Sequence, residues 1–167
     1  AALSEWILPW YSQSLRLTCS QLGFAIDPAI RSRHQVWPAT ADFDSPLGFI
    51  ARGTAGTQLL EVQAVVGQVP VFTYTKLWPS GAPTDCEFAW TRGWEVEIQG
   101  HPSLAWSCRG FEAEYPGQKD PPVVRATANC LVNAIPQLCA ADPGFVTLAD
   151  LPPMAAQSCG IALTRQF

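Results

Sequence analysis

The stretch from Leu59 to Trp78 constrains the fold more than any other part of the chain. Its first half, LLEVQAVV, alternates apolar and polar side chains, which is typical of a half-buried strand: one face carries Leu60, Val62, Ala64 and Val66, and the other carries Glu61 and Gln63. Gly67 and Gln68 then form a two-residue turn into VPVFTYTKLW, which is rich in β-branched and aromatic residues. The pattern predicts a β-hairpin.

Two further strands are expected after the Pro- and Gly-containing loop WPSGAPTD. The segment GWEVEIQG alternates between apolar residues and glutamates, and HPS turns the chain into LAWSCRGFEAE. We expect both segments to pair antiparallel. The glutamate pairs Glu95/Glu97 and Glu112/Glu114 are interpreted as the solvent face of these strands rather than as paired catalytic carboxylates.

Three helices are predicted from spacing and end signals. The first covers residues 10–22, starting after Pro9 and closed by Gly23, and Asp27-Pro28 opens a second, short helix that runs toward Val36. The third lies within residues 123–141, where apolar residues recur at helical spacing, namely Val124, Ala128, Leu131, Ile135 and Leu138. The fold class is therefore α+β: an open antiparallel or mixed sheet of four or more strands, with helices packed on one face, in a single domain of residues 1–167.

The composition limits the partners. Charged residues make up 14% of the 167 residues, against roughly 25% in a typical soluble domain, which indicates a surface shared with a partner subunit or an apolar ligand. The net charge is −4 and the ten Lys and Arg residues are scattered, so nucleic acid is not expected as a partner. No apolar run is long enough for a signal peptide or a membrane span, which predicts a cytoplasmic protein without a membrane partner.

The residues that usually carry metal or nucleotide chemistry are sparse. The six cysteines have irregular spacing and no CxxC pattern, so we expect free, mostly buried thiols and no metal site. His34 and His101 cannot be paired with a nucleophile from the sequence, and the glycines form neither GxGxxG nor a phosphate-binding loop.

The order of the motifs over residues 15–153 resembles the carboxy-terminal domain of dihydrodipicolinate-reductase-like, NAD(P)H-dependent amine dehydrogenases, the group that includes diaminopentanoate dehydrogenase. The most specific similarities lie in Ala51 to Thr57, in "GWEVEIQGHPS" from Gly93 to Ser103, and in "ATANCLVNAIPQLCAADPGFVTLADLP" from Ala126 to Pro153. In that family a Rossmann domain precedes this part. The resemblance implies an open sheet for dimer contacts and one wall of a cleft in which hydride passes between nicotinamide and an imine.

This chain departs from the family in two places. Cys130 stands where relatives commonly carry an arginine, and Phe72-Thr73-Tyr74 stands where relatives often have an acidic residue beside a histidine. Both changes make the expected cleft more apolar. Because the 167 residues contain no nucleotide-binding domain, we expect no cofactor to be held by this chain in the family's way.

Two functions remain open at this stage. The first is a cofactor-free cyclase or isomerase acting on a largely apolar biosynthetic intermediate, with Asn133 as a catalytic hydrogen-bond donor and a substrate-binding wall formed by Tyr74, Trp78, Trp106 and Cys130. The second is a non-catalytic binding or dimerisation module, or half of a split dehydrogenase whose Rossmann domain is a separate subunit. A homodimer or higher homo-oligomer is expected under both, and a fragment of a longer dehydrogenase is a third interpretation.

Overall fold

A computed structural model of the chain describes residues 2–45, 48–88, 93–108 and 122–152. The chain divides into two compact units, Ala1–Trp90 and Thr91–Phe167. The first unit contains α1 (Ala2–Gln21), β1 (Arg31–Pro38), β2 (Phe43–Ser45), β3 (Gly48–Ile50), β4 (Ala55–Val66) and β5 (Val69–Pro79). The second contains β6 (Trp94–Ile98), β7 (Leu104–Cys108) and α2 (Pro122–Ala140). The single domain inferred from chain length stays a prediction.

The predicted hairpin is present and forms the centre of the first unit. Strands β1, β4 and β5 make a three-stranded antiparallel sheet in the order β1-β4-β5. Gly67 and Gln68 join β4 to β5 with φ values of 53° and 78°. Positive φ at both residues is the geometry of a type I′ turn, whose twist matches that of the two strands.

Helix α1 covers one face of this sheet. Leu15 and Cys19 of the helix are buried against Leu60, Val62 and Ala64 of β4. The prediction that the helix starts after Pro9 is wrong, because α1 begins at Ala2 and contains Pro9. Pro9 lies inside the helix and removes one backbone hydrogen bond, while the partly buried Ile7 and Leu8 on its N-terminal side pack against the same core.

The predicted short helix from Pro28 toward Val36 is also wrong, since residues 31–38 form β1. This segment pairs with β4 along its whole length, with one irregularity between Trp37 and Pro38, and His34 lies opposite Leu60. Asp27 does not cap a helix. Its backbone N–H donates to the Val65 carbonyl (2.8 Å), and its carboxylate accepts a hydrogen bond from the Gly67 N–H (3.4 Å), so it ties the start of β1 to the hairpin turn.

The loop predicted over residues 39–46 contains a short strand. Phe43–Ser45 pairs antiparallel with Gly48–Ile50 to form a small two-stranded sheet. Asp42 holds this region by accepting a hydrogen bond from the Arg52 N–H (2.8 Å). The polar residues of the segment therefore stabilise a turn, as their types suggested.

The second unit contains the predicted hairpin β6–β7 and the predicted long helix α2. In the hairpin Val96 lies opposite Trp106 and Ile98 opposite Leu104, so one face is apolar while Glu95 and Glu97 occupy the other. The continuation of this second strand through residues 109–114 lies outside the described residues. Together the two helices and the antiparallel strands confirm the α+β class.

The cysteines correct one expectation. The five in the described residues are free thiols, as predicted, but only Cys19 is buried, whereas Cys130 and Cys139 on α2 are exposed. Cys159 lies outside the described residues. The expectation of mostly buried thiols is therefore wrong for the described part of the chain.

Candidate functional site

Tyr74 and Trp78, two of the residues expected to bind substrate, lie together on β5 under helix α1. Tyr11 of α1 stacks on Tyr74 with ring centroids 4.8 Å apart, and its ring lies 6.4 Å from that of Trp78. All three side chains are partly buried. Tyr11 was missed in the sequence, although it shares a helical face with Leu8, Leu15 and Cys19, and that spacing was the available signal.

The environment of Tyr74 favours its neutral form. Burial of the ring, followed by the charge of Tyr11 and a hydrogen bond with the Tyr11 hydroxyl, raises the pKa of Tyr74 to about 12. A phenol with this pKa stays protonated at neutral pH, so Tyr74 is available there as a hydrogen-bonding group. Beside it, the ammonium of Lys76 lies 5.9 Å from the Trp78 ring centroid, within range of a cation–π contact.

Asn133 and Cys130 lie on α2, in the other unit. Asn133 is half-buried and Cys130, one helical turn before it, is exposed. Gln137 follows one turn after Asn133, so these three side chains lie on one side of the helix. Gln137 was missed in the sequence, although its helical spacing of four from Asn133 was a visible signal.

Gln137 carries the least satisfied polar atom of the described residues. Its Oε1 is buried and accepts no hydrogen bond there. A buried oxygen without a donor costs about 1–3 kcal/mol, so Gln137 places an unfavourable polar group on this side of α2. We name the side formed by Cys130, Asn133 and Gln137 the polar side of α2.

Trp106, the remaining predicted residue, lies on β7. It is 57% exposed and faces Val96 across the hairpin. Two of the five predicted residues are thus brought together in the first unit, and two others share the polar side of α2.

Two open clefts adjoin the end of α2. One has a volume of about 390 Å³ and is lined by Gln137, Pro136, Ala140, Ala141, Asp150, Leu151 and Pro152. The second, of about 470 Å³, follows residues 140–146 and also reaches Asp150. The Asp150 carboxylate accepts hydrogen bonds from the Thr147 hydroxyl (2.6 Å) and N–H (2.8 Å), which lower its pKa. Asp150 therefore shapes a turn next to Gln137.

The described residues contain neither a cluster of metal-ligating side chains nor a helix that could span a membrane. In residues 2–45, 48–88, 93–108 and 122–152, no three His, Cys, Asp or Glu side chains come together as metal ligands do. Within those same ranges, neither helix combines the length and apolarity needed to cross a bilayer.

The described residues also do not fit a nicotinamide dinucleotide. That cofactor is held at a helix N-terminus after a glycine-rich turn in a parallel βαβ unit. The paired strands described here are antiparallel, and the sequence contains no GxGxxG. The described residues therefore do not form this kind of cradle for the cofactor's phosphates.

Comparison with known proteins relates the chain to solved structures and to a protein family. An amine dehydrogenase from Mycobacterium smegmatis shares the fold, with a TM-score of 0.52 and 23% identity over 83% of this chain and 37% of that one. The chain thus spans little more than a third of that enzyme's length. No curated protein sequence matches significantly. The family model of the 2,4-diaminopentanoate dehydrogenase C-terminal domain matches residues 10–164. Because that match covers nearly the whole sequence, the chain belongs to the 2,4-diaminopentanoate dehydrogenase C-terminal domain family.

Proposed function

We propose that this chain supplies the substrate side of an NAD(P)H-dependent amine dehydrogenase and works with a nucleotide-binding domain, on the same or on a separate polypeptide. The observation that carries the proposal is the family match over residues 10–164. The lack of fit between the described residues and a dinucleotide supports the need for a second domain.

The polar side of α2 is the proposed substrate contact. The half-buried Asn133 offers both a carbonyl oxygen and an amide N–H, and the half-buried Gln137 carries the same pair of groups one helical turn later. Such groups bind and orient an amine or the carbonyl compound related to it, without exchanging protons themselves. Orientation of the substrate is the contribution that we assign to this chain.

The proposed substrate is less polar than a diamino acid. Cys130 offers a weakly polar thiol on the polar side of α2, and Trp106 presents an exposed indole in the same unit. A site with few charged groups selects against substrates that carry several charges, because each unpaired charge must lose water on binding. We therefore propose a monoamine with an apolar body and the matching ketone as the reacting pair.

Binding to the purified chain tests this proposal. Calorimetry with NADH or NADPH should show no binding tighter than about 1 mM, a free energy of about −4 kcal/mol. Cyclohexylamine should shift the side-chain amide ¹⁵N signals of Asn133 and Gln137. The Asn133→Ala variant should lose the response at Gln137, whereas the Val132→Ala variant on a different side of α2 should keep it.

An activity measurement separates this function from the cofactor-free cyclase or isomerase, which stays a prediction without a described cavity in its favour. With the nucleotide-binding domain added, NAD(P)H consumption should require both ketone and ammonia. Micromolar nucleotide binding by the chain alone, or turnover of a substrate in the absence of nucleotide, would contradict the proposal. The cytoplasmic location likewise stays a prediction.

A further inference from the structure

Lys76 of the first unit lies among three aromatic side chains. It stands on β5 between Tyr74 and Trp78, and the alternation of a strand places these three side chains on the same face of the sheet. Tyr11 of α1 contacts both flanking rings, and the ammonium of Lys76 lies 5.9 Å from the Trp78 ring centroid. The half-buried lysine is therefore held beside the rings instead of extending freely into solvent. We name Lys76, Tyr74, Trp78 and Tyr11 the Lys76 cluster.

Helix α1 covers the central strand of the sheet more completely than the edge strand β5. Leu60 and Val62 of β4 are 1% and 0% exposed. Their direct partners on β5, Lys76 and Tyr74, are only half-buried. A helix about 10 Å across is narrower than three strands spaced about 4.8 Å apart. Its flank therefore leaves the Lys76 cluster accessible along the edge of the sheet.

The Lys76 cluster carries a positive charge with no carboxylate on the same face of the three strands. Glu61 is the acidic residue of β1, β4 and β5, and as the neighbour of Leu60 it lies on the opposite face. Residues 7–21 of α1 contain neither Asp nor Glu. Although the whole protein has a net charge of −4, these parts of the sheet and helix offer a local attraction for an anion.

The tyrosine pair adds a hydrogen-bond donor beside this charge. Each phenol has one hydroxyl proton, and one of the two protons is used in the hydrogen bond between Tyr11 and Tyr74. The other proton remains for an oxygen of a ligand. Because Tyr74 is neutral at neutral pH, its hydroxyl does not repel an anion.

We propose that the Lys76 cluster binds an aromatic monocarboxylate. The ammonium of Lys76 and the remaining tyrosine hydroxyl donate hydrogen bonds to the carboxylate, while the rings of Trp78 and Tyr74 contact the aromatic body. The positive charge favours a carboxylate over an amine, and the apolar walls favour an aromatic acid over a small inorganic anion. The site lies within Ala1–Trp90 and does not rest on the function proposed for the polar side of α2.

Titration of the full chain with sodium benzoate, followed by NMR, tests the site. The indole ¹⁵N–¹H signal of Trp78, assigned with the Trp78→Phe variant, and the amide signal of Lys76 should shift with a Kd of about 1 mM or below. Benzyl alcohol lacks the carboxylate and acetate lacks the ring, so each should bind at least about tenfold more weakly than benzoate. The amide signals of α2 should not move.

Two matched variants separate this site from a general attraction by positive charge. Lys76→Met keeps an apolar stem and removes the charge, so the affinity for benzoate should fall at least about tenfold. Arg33→Met also removes one positive charge from the sheet, but from the face that carries Glu61, and should change the affinity less than about twofold. Unchanged amide signals of β4 show that each variant is folded.

Three results would overturn the inference. The first is an unmoved Trp78 signal at about 10 mM benzoate, where a site with a Kd of about 1 mM is mostly occupied. The second is an equal loss of affinity in Lys76→Met and Arg33→Met. The third is benzyl alcohol binding as tightly as benzoate, a comparison that uses the wild type and holds even if Lys76→Met does not fold. The response of Asn133 to cyclohexylamine bears only on the proposed enzymatic function.

Discussion

Gly56 lies in β4 where a neighbouring loop approaches the strand closely. A Cβ placed there would be 2.4 Å from the Thr84 methyl carbon and 3.0 Å from the Ala39 backbone nitrogen. Because the backbone of Ala39 cannot rotate away as a side chain can, the added methyl group would force the strand or the loop to shift. We expect Gly56→Ala to lower the free energy of unfolding by about 1–3 kcal/mol, measured by urea denaturation. Gly100→Ala, whose Cβ would meet its nearest neighbour at 3.5 Å, should change it by less than about 0.5 kcal/mol. Equal losses in both variants would contradict this account.

Tyr74 gives a prediction for alkaline pH. Its pKa is raised from 10.0 to about 12, so between these values the folded protein retains a proton that the unfolded chain releases. The contribution of Tyr74 to the free energy of unfolding is therefore complete below pH 10 and is lost as the pH rises toward 12. In a titration at 295 nm, Tyr74→Phe should remove the latest tyrosinate phase. Tyr11→Phe should move that phase to lower pH but not to 10.0, since burial is the largest cause and remains. A late phase that persists in Tyr74→Phe would refute the assignment.

The turn between β4 and β5 depends on left-handed backbone at two successive residues. Gly67 has φ of 53°, a region that β-branched side chains rarely adopt. We expect Gly67→Val to destabilise the protein by about 1–2 kcal/mol, measured by thermal unfolding. Gln68→Gly, at φ of 78°, relieves strain but removes the hydrogen bond from Arg31 to Gln68, so its effect should be smaller. A loss for Gln68→Gly as large as that for Gly67→Val would mean that the side-chain contact dominates.

The elements that could be predicted from the sequence are those with local causes. The hairpins 59–78 and 94–108 follow from period-two alternation and short turns, and α2 follows from helical spacing. Residues 31–38 could not be predicted, because Asp27-Pro28 is a local helix-start signal that loses to the ladder with β4, a contact distant in sequence. The residues of the candidate site also divide into those that residue type indicates and those that depend on tertiary packing. Tyr74 and Asn133 could be selected by residue type, whereas the stacking of Tyr11 on Tyr74 depends on how α1 packs.

At the scale of the whole molecule, the two units differ in how much apolar surface they bury. The buried apolar residues of the described chain include a group around β4 in the first unit: Leu59, Leu60, Val62, Ala64 and Val65. In the second unit Ala134 is buried, while the apolar face of β6–β7 remains exposed. Backbone hydrogen bonds resist local opening more strongly where the surrounding apolar side chains are buried. A two-stranded hairpin alone is at best marginally stable. The hydrogen bonds of the second unit should therefore open far more often.

Hydrogen exchange measured by mass spectrometry on the full chain checks this difference. Peptides from β4 should exchange at least roughly a thousandfold more slowly than unprotected amides, and peptides from β6–β7 within about tenfold of the unprotected rate. If β6–β7 is as slow as β4 in dilute solution, its apolar face is covered within a single chain. If β6–β7 slows only when a nucleotide-binding domain is added, that face is where the two domains meet.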